Sequence, residues 1–232
     1  MTMKLSIIGD FNPNSETHAS TNMAIMHSKN LLQCDLDSYW IDTQDITEKI
    51  FSRFDGFLIA PGSPYNSMEN VIDVIQYARE NNKPCLGMCG GFQHMIIEYA
   101  RNVLGFKNAQ HEEYNQNSLE LFITKLLCSL KGRNMEINLV PGSKVASLYG
   151  KNQVIEKYYC NYGVNHDYIQ VLKNGPFNIV GSDREGGIRV FEHPDHTFFI
   201  GTLYVPQVQS TYNAPYPLMT GFIDAIINSS IK

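Results

Sequence analysis

Residues 87–91 read Gly-Met-Cys-Gly-Gly, a cysteine framed by glycines. The run before it, "PCLGM", is apolar as a buried strand is, and "FQHMIIEYARNVL" after it has helical spacing. A nucleophile on a strand-to-helix turn needs this form, because only small flanking residues let the backbone close around it. At a helix start, unpaired N–H groups and the helix dipole favour thiolate over thiol. Cys89 is therefore the candidate nucleophile, and the N–H of Gly90 would point at a developing oxyanion. A second donor is expected from the turn "APGSPY". Pro64 has no N–H, which leaves Ser63 as the expected donor. The elbow alone does not separate hydrolase, amidotransferase and redox chemistry, and a structural cysteine on a glycine turn is the plain alternative.

The elements that must position Cys89 are legible as short apolar runs alternating with helical patterns. "LSIIG" (5–9), "DSYWI" (37–41), "GFLIAPG" (56–62) and "PCLGM" (84–88) read as strands. Helices are expected near 18–33 and over 68–81, where Val71, Ile72, Ile75 and Ala78 share a face. This β-α-β-α order, apolar on both strand faces, implies an α/β fold with a doubly covered, mostly parallel sheet. Ligands bind such sheets beyond the carboxyl ends of the strands, where the turns at Gly62 and Cys89 fall. The second half is richer in strands: "MEINLV", "VIEKYYCNYGV", "FNIVGS", "GIRVFE" and "TFFIGTLYV", then a closing helix at about 216–228. With no repeat and no linker-like stretch, residues 1–232 read as one domain.

Composition narrows the classes. Apolar residues make up 43% and charged ones 18%, ordinary for a globular chain with a sizeable core. A formal net charge of −5 without a Lys/Arg cluster argues against nucleic-acid and anionic-membrane surfaces. The N-terminal apolar run is too short for a signal peptide and no stretch is long enough to span a membrane, so a cytoplasmic location is expected. The five cysteines form no CxxC pair and no metal spacing, so no metal, cofactor or disulfide framework is expected. Cys85 and Cys128 lie in apolar runs and read as core residues.

The stretch from "NVIDVIQYAREN" through "KPCLGMCGGFQHM" to "VLGFKNA" resembles the glutaminase domain of CTP synthase, a class I glutamine amidotransferase. "KLSIIGDFN" is similar to that domain's first strand and "VFEHPDHTFFIGTLYVPQ" to its last core strands. "IGDFNP", "APGSPY", "CGGFQH" and "CNYG" resemble a group of stand-alone proteins related to the CTP synthase C-terminal region. The resemblance implies a three-layer, flavodoxin-like α/β sandwich. It implies cysteine attack on a small amide such as glutamine, and allows for a separate ammonia-accepting synthase as partner. By the same resemblance Gly62, Gln93, Glu113 and Asn161 fall at substrate-binding positions, with Glu113 receiving the substrate's amino group. The family's His-Pro-Glu falls on Val205, Pro206 and Gln207, and its carboxylate-binding arginine on Asn161. A neutral amide does not replace a guanidinium fork. Base, orienter and substrate clamp are thus all substituted, and glutaminase activity is expected to be very weak.

A relocated base must then be sought among the histidines. "HPDH" (193–196) imitates His-Pro-Glu but precedes its strand, which at roughly 3.3 Å per residue leaves His193 about 25 Å from the site. His18 belongs to a helix start, His166 to the surface, and His94 to a packed position beside Gln93. His111, two residues from Glu113 in the loop that the resemblance folds over the pocket, is the candidate base, with a solvated loop histidine as the alternative. Cys160 reads either as a packing thiol or as a resolving partner for oxidised Cys89. A Cys89 amidohydrolase or amidotransferase, a thiol redox enzyme and a non-catalytic binding protein all remain open.

Overall fold

The computed structural model describes residues 2–230. The first half is built from β1 (Met3–Ile8), α1 (Glu16–Leu32), β2 (Leu36–Ile41), the single turn α2 (Glu48–Phe51), β3 (Gly56–Ile59), α3 (Met68–Glu80), β4 (Cys85–Met88) and α4 (Gly90–Glu98). Every residue of β3 and β4 is buried, as strands covered on both faces require. In α1, Ser15 caps the N-terminus by accepting the N–H of His18. In α3 the buried residues Val71, Ile72, Ile75 and Ala78 recur at helical spacing on one face.

The second half adds β5 (Gln110–His111), β6 (Leu121–Lys125), β7 (Asn134–Leu139), α5 (Lys144–Tyr149), β8 (Gln153–Lys157), β9 (Tyr162–Val164), α6 (Ile169–Lys173), β10 (Asn178–Ser182), β11 (Ile188–Glu192), β12 (Phe199–Thr202) and α7 (Pro217–Ser230). Among the described residues nine strands form one sheet in the order β2-β1-β3-β4-β12-β11-β10-β7-β8, and β5-β6-β9 form a small second sheet. The five strands from β2 to β12 are mutually parallel, and the four beyond β12 are antiparallel, so the sheet is mixed with its parallel half first. From β1 the chain crosses to one edge through α1, and from β3 to the other side through α3. Right-handed crossovers therefore place these helices on opposite faces. Helix α1 packs with α7, and α3 with α4, giving three layers. The expected α/β sandwich is present.

Two local expectations do not survive. The run 154–164 is not one strand: it splits into β8 and β9, which lie in different sheets. Between them the backbone leaves β7 and bonds to the loop 126–133 instead, through Leu126 N–H to Asn161 O at 2.8 Å and Leu130 N–H to Cys160 O at 3.1 Å. Apolar alternation continues across the break, so a period of two could not mark it. Cys128 is exposed rather than core, because "LLCSL" belongs to that same loop, where Leu127 is wholly exposed.

Candidate active site

Cys89 is the residue between β4 and α4, with φ 53° and ψ −107°. A positive φ in a residue with a Cβ costs on the order of 1–3 kcal/mol and persists only where the surroundings fix it. Here they do: the Cys89 N–H donates to Thr202 O at 2.8 Å, and its carbonyl accepts the Gln93 N–H at 3.1 Å. The flanking glycines are sterically required. A Cβ on Gly90 would sit 2.1 Å from Gly62 O, one on Gly91 2.2 Å from Ile59 O, and one on Gly87 2.3 Å from the Met95 sulfur.

The two backbone N–H groups that reach the Cys89 sulfur are those of Gly90 and Gly62, the second one residue before the expected Ser63. Gly62 takes φ 115°, which a side chain would oppose, and this turns the chain back over the elbow directly after β3. Ser63 lines the cavity wall instead. The neighbouring Cys160 thiol is the strongest influence on the ionisation of Cys89. Together with the two N–H groups it holds the Cys89 pKa below the ordinary thiol value despite burial. Cys160 moves the other way, raised by the same contact and by its own burial.

Cys89 opens onto a cavity of about 400 Å³. Its wall brings together Gly62, Ser63, Gln93, Glu113 and Asn161, as the sequence suggested, and adds Glu16, Lys131, Tyr159 and Cys160. Glu113 Oε2 is buried without a hydrogen-bond partner, an acceptor positioned for a ligand donor. The Asn161 Oδ1 is already occupied, accepting from Ser129 Oγ at 2.6 Å. Lys131 arrives from the 126–133 loop and Glu16 from the start of α1, where Tyr159 donates to it at 2.5 Å. No motif announces either residue, since each depends on which loop the kink at 158–161 recruits.

Among the described residues that line this cavity there is no histidine. His111 stands behind Gln93: its Nδ1 accepts the Glu113 N–H at 3.1 Å, so its Nε2–H donates to Gln93 Oε1 at 3.1 Å. Gln93 Nε2 in turn donates to Tyr162 O at 2.9 Å. Burial drives the His111 pKa down to about 2, keeping the ring neutral. His94 donates from Nδ1 to Gly90 O at 2.7 Å and accepts Tyr114 O–H at Nε2, 2.9 Å away, with its pKa lowered by burial to about 4. His18 spans the Asn12 N–H and Pro61 O. Both nitrogens of each ring are therefore committed to protein partners. His193 and His196 lie in the turn between β11 and β12, at the opposite end of β12 from Thr202. Val205 follows β12 fully buried, and Gln207 Nε2 lies 3.3 Å from Thr21 Oγ1.

The model of the family "Glutamine amidotransferase class-I" matches residues 15–225. The chain belongs to the class I glutamine amidotransferases. It is 34% identical to CTP synthase of Flavobacterium psychrophilum over 85% of this chain and 38% of that protein. It is 31% identical to CTP synthase of Archaeoglobus fulgidus over 96% of this chain and 44% of that protein. The chain thus spans less than half the length of these curated relatives. Among solved structures, the glutaminase domain of Trypanosoma brucei CTP synthase with bound acivicin superposes with a TM-score of 0.88 at 25% identity, over 98% of this chain and 94% of that one. A glutamine amidotransferase from Thermotoga maritima shares the fold at a TM-score of 0.62 and 9% identity. Among the described residues no helix is long and apolar enough to cross a membrane.

Proposed function

We propose that this class I amidotransferase domain, a single unit over residues 1–232, is a cysteine-dependent enzyme acting on a small primary amide that carries an amino group. The observation carrying this reading is a strained Cys89 whose sulfur meets the N–H groups of Gly62 and Gly90 at a cavity that also holds the unpartnered Glu113. The thiolate adds to the amide carbon, and the oxygen that gains charge takes the same two N–H donors. The C–N bond then breaks, the leaving nitrogen takes a proton from water, and a second water hydrolyses the thioester to acid and thiolate. Glu113 accepts the substrate ammonium, while Gln93, its amide fixed by His111 and Tyr162, bounds the carbonyl side. His111 acts as a positioning residue, since its lone pair at Nδ1 already accepts the Glu113 N–H.

Glutamine itself is a poor substrate on this reading. Loss of imidazole acid–base help typically costs 10²–10⁴-fold. Lys131, the cation among the described residues that line the cavity, offers a point charge where a guanidinium fork would bind a carboxylate in two places. Ammonia released here would pass to a separate synthase. Incubation with acivicin followed by peptide mapping tests the proposal. An adduct on Cys89 that weakens in Glu113→Gln is expected. Failure of acivicin to modify an intact Cys89 thiol would overturn it.

A further inference from the structure

We propose that Cys89 and Cys160 form a peroxide-oxidisable dithiol, which closes to a disulfide at the cavity and reopens with a thiol reductant. Both cysteines are free, both are buried (7% and 3% exposed), and both line the cavity. The end of β12 holds them side by side: Cys89 N–H donates to Thr202 O at 2.8 Å, and the Cys160 thiol donates to Leu203 O at 3.6 Å. Each sulfur is the largest single influence on the other's ionisation. Cys160 reaches this place only because the chain kinks between β8 and β9, in the segment where strand pairing is given up for the 126–133 loop. Closing the pair requires the side chains to bring the sulfurs to a bonded distance of about 2.05 Å.

The chemistry balances with a hydroperoxide as oxidant. The Cys89 thiolate attacks the terminal peroxide oxygen, an S–O bond forms and the O–O bond breaks, and the alkoxide leaves as alcohol after taking a proton from water. Cys89 is now a sulfenic acid without charge. The main influence holding the Cys160 proton, the neighbouring thiolate, has gone. Cys160 then attacks the sulfenic sulfur: the S–S bond forms, the S–OH bond breaks, and the departing hydroxide takes the Cys160 proton as water. The two thiols have lost two electrons and the peroxide has gained them. A dithiol reductant returns both cysteines by exchange. The proposal rests on Cys89 as nucleophile, but not on which amide it attacks.

The test reads thiol oxidation, so it fails separately from amide turnover. The full chain is treated with equimolar hydrogen peroxide, blocked with an alkylating agent and mapped without reduction. A Cys89–Cys160 peptide is expected, with both thiols recovered after dithiothreitol. In Cys160→Ser, and likewise in Cys160→Ala, Cys89 should react with a sulfenic-acid probe and proceed to sulfinic acid. The proposal is overturned if wild-type Cys89 reaches sulfinic acid as fast as in these variants, or if the disulfide engages Cys34 or Cys128 instead.

Discussion

Replacing Gly90 with alanine sets two effects against each other. Alanine in place of glycine inside a helix normally gains up to about 1 kcal/mol. Gly90 opens α4, but its added Cβ would lie 2.1 Å from Gly62 O and 2.8 Å from Gly62 C, both backbone atoms. Real Cβ contacts stay beyond 3.0 Å, so the Gly62 turn must retreat by about 1 Å. Overpacking of this kind costs roughly 1–3 kcal/mol, which outweighs the propensity gain. In a chain of this size each kcal/mol lowers Tm by roughly 2–4 °C. The retreat also withdraws the Gly62 N–H from the Cys89 sulfur, so iodoacetamide alkylation of Cys89 at pH 6.5 should slow. Ser63→Ala alters the same loop without adding an atom, and should leave both readings unchanged. A Gly90→Ala protein with wild-type Tm and wild-type Cys89 alkylation would refute the backbone-to-backbone account of the elbow.

Removing the ring in His111→Ala should raise the acivicin concentration needed for half-maximal labelling, by freeing Gln93, while leaving the pH profile of Cys89 alkylation in place; a shifted profile would make His111 the base. Ammonia release from glutamine should rise in the triple variant Val205→His, Gln207→Glu, Asn161→Arg above that of any pair of these changes, because base and substrate clamp serve different steps; a pair that matches the triple contradicts this. Glu156 is a separate matter of stability. Burial raises its pKa from 4.5 to about 7, with Tyr216 and Gln209 as its hydrogen-bond partners. Its favourable contribution is therefore complete below pH 4.5 and lost as pH rises through 7, a difference of roughly 3 kcal/mol. Urea titrations should find Glu156→Gln flattening that pH dependence, and an unchanged slope between pH 4.5 and 7 would count against the assignment.

The elbow was legible because its chemistry is local. Gly90 and Gly91 after Cys89 are demanded by close backbone contacts with Gly62 and Ile59, and such demands leave their mark in consecutive residues. The central parallel strands β3 and β4 were legible for a similar reason, since strands covered on both faces must be apolar throughout, whereas the edge strand β2 is largely exposed. What surrounds Cys89 was less so. Gly62 rather than Ser63 presents its N–H, a matter of backbone direction after a left-handed turn that residue types do not encode uniquely. Lys131 and Cys160 come to the cavity through hydrogen bonds between a loop and a broken strand, 32 residues apart at Ser129 and Asn161. His111 carried the right residue type for a base, but its tautomer is fixed by the Glu113 N–H, a contact visible only in the fold.

Competition among the five thiols for iodoacetamide reads out whether Cys89 is activated without an imidazole at the cavity. Cys128 is exposed and Cys89 is only 7% exposed, so access alone favours Cys128. At pH 6.5 mass mapping should find Cys89 modified first, with an alkylation midpoint below that of an ordinary thiol. Cys128 or Cys34 modified ahead of Cys89 at that pH would contradict it.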